Sequence, residues 1–317
     1  MRSILALALM VVLSVALVPT SQAATATYTD TQDFSLDGPG LVEVDASIHD
    51  IYITRGSGSE VVVKVTMEVK SSSKEKAEDY IENHKPTYDQ RGNDIIIDAR
   101  SKKKNWWKKF NWKKFEAKSR IDIEVPKGTE LVLDTASGDL SVRADLGDVP
   151  VSCNTASGDI ELDGSATNLR MGTASGDIDV SISNTAESMD LSTASGDIMV
   201  RGSTHEANIS TASGTIEVDG LRGDANLSTA SGDVVAAWDQ VDTSNEIEIS
   251  TASGDVDVYL PESIEIDGFA STVSGRIRSD FGGKSNKRRS QVHFDGGRDA
   301  LFLEVDTASG DISIRRR

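Results

Sequence analysis

A short string that returns along more than half of the chain constrains its fold most: Thr-Ala-Ser-Gly-Asp followed by Ile, Val or Leu. It starts at Thr135, Thr155, Thr173, Thr193, Thr229, Thr251 and Thr307, with variant copies at Thr211 (TASGTI) and Thr272 (TVSGRI). Successive starts lie 20, 18, 20, 18, 18, 22, 21 and 35 residues apart. A unit of that size cannot bury an apolar face alone, and identical units solve the problem by stacking like residue over like.

The stretch Met189 to Val200 (MDLSTASGDIMV) shows the pattern inside one unit. Met189, Leu191, Thr193 and Ser195 share a face by period-two alternation; after Gly196-Asp197 the parity shifts, and Ile198 and Val200 take that face over. Each unit reads as two short strands meeting at a Gly-Asp corner, with glycine supplying an unusual backbone angle and aspartate bonding its own neighbouring backbone. Segments such as DGLRGD, residues 219–224, make the return turn. Asn-Gly is absent and Asp-Gly recurs in only some units, so two-residue hairpins do not explain the repeat. The expected fold class is all-β, a parallel β-solenoid, with the right-handed form favoured because the subperiod of left-handed hexapeptide solenoids is missing. Stacking then puts Ile, Val and Leu ladders inside, a Thr/Ser ladder beside the corner and an Ala ladder outside.

The solenoid proper is expected over 131–317, after a cap and first coils over 24–130 and a signal peptide over 1–23. Arg2, the apolar run Ile4 to Val18 and Ser21-Gln22-Ala23 have the composition of a cleaved export signal. The run is shorter than the roughly 20 residues a membrane span needs. Export predicts a periplasmic, envelope-associated or secreted location. Cys153 is the only cysteine, so no intramolecular disulfide forms, and its alternation with apolar neighbours predicts a small buried side chain. The net charge of −18, more negative still once Arg2 is removed, argues against nucleic acid as a partner.

Within the cap, Leu41 to Val69 reads as a degenerate opening coil, because DASIHDI (45–51) echoes DTASGDL (134–140). SKEKAEDYIENH has a Ser start and helical composition, which predicts a helix over 73–85. Strands are expected at Asp94 to Arg100 and Ser119 to Val125, and the gap from Thr272 to Thr307 has the length of one coil plus an excursion. The TASGDI corners, the entry IDIEVPKGTELVLDTASGDL and the FGGK segment before the closing TASGDI resemble the bacterial putative-adhesin family of unknown function. The resemblance runs from Leu41 to the C-terminus. It implies a β-helical exported or envelope domain and brings no catalytic residues with it.

The Trp/Lys-rich insert, 101–118, is the departure from that family and the candidate surface-binding site. KKKNWWKKFNWKKFEAK carries Trp106, Trp107, Phe110, Trp112 and Phe115 among Lys108, Lys109, Lys113, Lys114 and further lysines. Interleaved lysine and aromatic residues suit an anionic membrane surface or envelope glycan, or a protein partner. The same residues also fit a hairpin whose rings pack on the solenoid while its lysines stay solvated. The Asp row (Asp139, Asp159, Asp177, Asp197, Asp233, Asp255, Asp311) lacks the glycine-rich nonapeptide of calcium-binding β-rolls and reads as corner chemistry. An ice-binding Thr array is disfavoured because alternation turns those hydroxyls inward. His49, His84, His205 and His293 show no metal-ligand spacing, so no catalytic residue, metal or cofactor is assigned. The function expected is a non-catalytic adhesin-like scaffold; the alternative is a carbohydrate-active β-helix enzyme acting on acidic polysaccharide.

Overall fold

A computed structural model describes residues 24–102 and 115–317. Each repeat is one coil with two strands, as in Thr129–Thr135 and Leu140–Asp145 on either side of the Thr135 corner. First strands stack in parallel as one wall and second strands as the other, in register residue for residue apart from shifts between Ser181 and Thr185 and between Asp219 and Leu221. Cys153 lies between Leu133 and Met171, and Thr155 lies beside Thr135. Strands Ile178–Ser195 and Ile198–Ser213 run on through the return bend, which joins the walls into a single 25-stranded sheet. The inward ladders, such as Leu133, Cys153, Met171, Leu191, Ile209, Leu227 and Ile249, are essentially free of solvent contact. They form one continuous apolar core between the walls. Where an aromatic enters that core, small residues make room: Trp238 is wholly buried in the coil that also turns Ala225 and Ala236 inward.

The stacking order departs from the chain order at both ends. Leu301–Ser309 and Ile312–Arg316 slot between the Thr251 coil and the Thr272 coil, so the last coil in sequence is the penultimate one in space. The opening coil, Gly40–Ala46 with Asp50–Arg55, likewise sits between the Thr135 coil and an outermost coil made of Asp94–Ala99 and Glu116–Val125. The gap from Thr272 to Thr307 holds one coil's length of chain, Ile277–Ser279 and the start of Leu301–Ser309, plus an excursion of two antiparallel strands, Lys284–Ser285 and Gln291–Asp295, that closes the stack. Phe294 lies opposite Gly268 and Val292 opposite Ala270, so the closing strand fills core space that the outermost coil leaves thin.

At the other end, Glu60–Ser71 pairs antiparallel with Glu116–Val125, and Ala24–Ser35 with Glu60–Ser71. The helix Lys74–His84 buries Ala77, Tyr80 and Ile81; Ser73 caps it by accepting from the Lys76 amide at 3.4 Å. These devices satisfy the edge groups that an open stack would offer to other chains.

Candidate functional site

The corner row is the most repeated chemistry on the molecule. In coil after coil the threonine hydroxyl donates to the glycine carbonyl of the coil below: Thr155 to Gly138, Thr173 to Gly158 and Thr193 to Gly176, each at 3.1 Å. The aspartate carboxylate accepts the amide of the next coil's aspartate, as Asp159 to Asp139 at 3.0 Å and Asp177 to Asp159 at 2.9 Å. The aspartate's partner is thus an amide of a neighbouring coil, where the sequence suggested the residue's own backbone. The glycine is needed for proximity more than for angle. A Cβ on Gly176 would stand 1.9 Å from the Gly158 carbonyl oxygen, and the same clash recurs at Gly196 and Gly254. Alanine faces solvent and threonine is buried, as alternation requires. With these groups engaged along the stack, the row is corner chemistry. Cys153 is fully buried and its thiol is pushed up to about 12 by that burial, which makes it an inert packing residue.

Most of the sequence-derived site lies outside the described residues: Trp106, Trp107, Lys108, Lys109, Phe110, Trp112, Lys113 and Lys114. Phe115 is described and half-buried against the core, its ring 4.8 Å from that of Tyr80. The flanks locate the insert in the fold. Ala99 pairs with Ala46, and Arg120 with Asp50, so the insert replaces the corner of the N-terminal outermost coil. Its stems are held by the Lys102 amide, which donates to the Asn83 carbonyl at 3.1 Å, and by the pairing of Lys118 with Glu68.

Beside those stems runs a groove of about 1010 Å³ whose walls include Tyr28, Tyr52, Tyr80, Phe115, Ile48 and Met67. Lys118 and Arg120 supply its positive charge, and Asp50 and Glu68 its negative charge. The Arg120 guanidinium lies 3.7 Å from the centre of the Tyr52 ring and bonds Asp122 at 2.6 Å. Lys118 makes no ion pair among the described residues. The Ser119 hydroxyl, on the groove lining, is buried and has no hydrogen-bond partner among them. Burial pushes the Tyr80 phenol up to about 12 and, with Asp30 next in weight, raises Tyr28, so both rings stay neutral.

The place of His49 is a feature that the residue pattern did not show. The histidine occupies the corner position that glycine takes elsewhere: its carbonyl receives the Thr135 hydroxyl, and Gly138 closes on it. No TASGD corner stacks above it, because the insert has replaced that corner, and so a ring fits where a Cβ clashes in other coils. The ring is fully buried and neither nitrogen has a partner among the described residues. Burial, reinforced by nearby His84, drops its pKa to about 4. The echo of DTASGDL in DASIHDI was the available signal. Among the described residues, no group of three or more His, Cys, Asp or Glu is placed to hold a metal ion, and no helix is long and apolar enough to cross a membrane.

These observations define the class: a capped, two-walled β-solenoid whose repeat serves its own stacking. The model of the Toastrack DUF4097 family matches residues 42–315, and the chain belongs to that family. No curated protein matches it in sequence. Similar solved structures include a "putative adhesin" from Bacteroides fragilis, 13% identical, with a TM-score of 0.42, covering 91% of this chain and 97% of that one. A "putative lipid binding protein" from Parabacteroides distasonis is 16% identical, with a TM-score of 0.44, covering 90% and 96%. A "putative adhesin" from Parabacteroides merdae is 11% identical, with a TM-score of 0.39, over 90% and 96%.

Proposed function

We propose that this protein is an exported, non-catalytic, adhesin-like scaffold that meets the cell envelope through the N-terminal end of its stack. The observation that carries the reading is the junction of the Lys/Trp insert with the aromatic groove at its stems. Cationic side chains there stand beside rings and aliphatic groups, a composition suited to the boundary between anionic headgroups and acyl chains. The rest of the molecule acts as a rigid mount, since its polar side chains along the corner are spent on holding coil to coil. An anionic lipid surface is the partner this composition fits best.

The test is cosedimentation with vesicles of phosphatidylglycerol and phosphatidylcholine. Replacing Trp106, Trp107 and Trp112 together by Ala should weaken binding at least ten-fold and leave thermal unfolding unchanged. Equal binding by the triple variant would remove the insert from the account. Binding to purified envelope glycan with none to vesicles would replace lipid by polysaccharide as the partner.

A further inference from the structure

A second charged site lies at the opposite end of the stack, independent of the insert. Between Arg276 and Arg289 the chain carries six cationic side chains and one acid, Asp280, in a protein of net charge −18. The fold concentrates two of these cations. Arg278 lies on the short strand Ile277–Ser279, on the outermost coil. Arg289 is the only described non-glycine residue with left-handed backbone, at φ 55°. Its conformation has a structural cause. In ordinary coils the residue after the corner aspartate donates to the next coil's aspartate carbonyl, as Ile160 does to Asp177 at 2.9 Å. Ile277 has no further coil above it, and the Arg289 carbonyl takes that place at 2.8 Å. The cap thereby fixes the Arg289 backbone over the last coil.

Arg278 and Arg289 line one cleft of about 330 Å³, together with Ser279, Ser285 and the Gly282-Gly283 bend. Gly283 is held close to Val292, where a Cβ would come within 2.6 Å of that side chain, and its φ of 104° is left-handed. Arg278 has an outlying carboxylate contact, 3.4 Å to Asp311 on an exposed surface. The Arg289 guanidinium makes no ion pair or hydrogen bond among the described residues. The Ser279 oxygen accepts the Phe281 amide, which leaves its hydrogen to donate. Two guanidinium forks with serine hydroxyls on a fixed turn are donor-rich and acceptor-poor, the complement of a tetrahedral oxyanion.

We propose that this C-terminal cleft binds a phosphoryl group carried on an envelope lipid or polymer, with Arg278 and Arg289 as its two ligating side chains. The full chain should bind inorganic phosphate saturably at low ionic strength by titration calorimetry, and acetate at least ten-fold more weakly. Arg289→Ala and Arg278→Ala should each weaken phosphate binding at least ten-fold, whereas Arg170→Ala, an exposed arginine in mid-stack, should not change it. Arg289→Gly separates binding from folding, because glycine accepts the left-handed backbone: phosphate binding should fall while the unfolding temperature holds or rises. Vesicles of phosphatidic acid in phosphatidylcholine distinguish the sources. Arg289-dependent vesicle binding would assign a lipid phosphate, and phosphate binding without it a soluble polymer. No saturable phosphate binding, or equal losses in the Arg170 and Arg289 variants, would overturn the proposal. Since the tryptophans play no part, its failure leaves the N-terminal reading standing.

Discussion

Corner threonine, glycine and alanine each have a distinct place in the repeat, and single substitutions separate their contributions. Gly176→Ala forces a Cβ to within 1.9 Å of a backbone oxygen, which no rotamer can relieve. The coils must part locally, and we expect a loss of about 3 kcal/mol in chemical unfolding, at the upper end for overpacking. Thr193→Val keeps the buried shape but removes the donor to the Gly176 carbonyl, an expected loss of about 1 kcal/mol. Ala174→Ser, on the exposed row, should stay within about 0.5 kcal/mol of the parent. Equal losses at all three positions would contradict the division of labour.

Where an element breaks the repeat, the pH dependence of folding should report it. His49 sits neutral in the opening coil with its pKa dropped from 6.5 to about 4. Between those values the unfolded chain holds more protons than the folded one, so stability rises with pH across the window and falls as pH drops through it. The shift corresponds to an order of about 3 kcal/mol at full protonation. Asp45 and Asp50, raised chiefly by burial, have the opposite sign: their contribution is largest in acid and lost as pH rises through their folded pKa values. Unfolding midpoints of the parent and of His49→Leu, measured from pH 7 to 4, should diverge, the variant losing less. Parallel curves would mean that the ring is not sealed as described.

The same element shows what sequence could and could not reveal. Identical corners announce themselves, and period-two parity fixes which side chains turn inward, so threonine in and alanine out were legible. The echo DASIHDI gave the opening coil its place. Nothing local in DASIHDI shows that a corner is missing above His49. That depends on Ala99 and Arg120 lying across from Ala46 and Asp50. The groove beside the insert depends in the same way on Tyr28, Tyr52, Tyr80 and Phe115, brought together from four separate stretches of chain.

At the scale of the whole molecule, repetition explains the core and its interruption explains the ends. The aspartate ladder is broken at Thr215 and stops at Arg276, whose amide bonds Asp311 but whose side chain offers no acceptor to a further coil. Val273, 85% exposed, replaces the corner alanine in that same outermost coil. An end so altered, and closed by an antiparallel strand, offers no intact TASGD corner to a further coil. The order of coils near it was not legible, because every corner is an equally good neighbour for every other. The closing residues decide it: Gly268 and Ala270 accept Phe294 and Val292, which a coil with Leu303 and Val305 at those positions has no room for.

The stacking order of the coils is directly testable. Ser309 pairs with Ser253 on one side and Ser274 on the other, so Ser253 and Ser274 are separated by an intervening coil. Adjacent strands lie about 4.8 Å apart, within the span of a disulfide, and strands two apart do not. Under mild oxidation of the folded chain, the cysteine pair at 253 and 309 should cross-link within the molecule, read by mass after proteolysis. The pair at 253 and 274 should stay reduced, with Cys153 inert in both. Cross-linking at 253 and 274 in place of 253 and 309 would mean that coils stack in chain order, and would contradict the fold described.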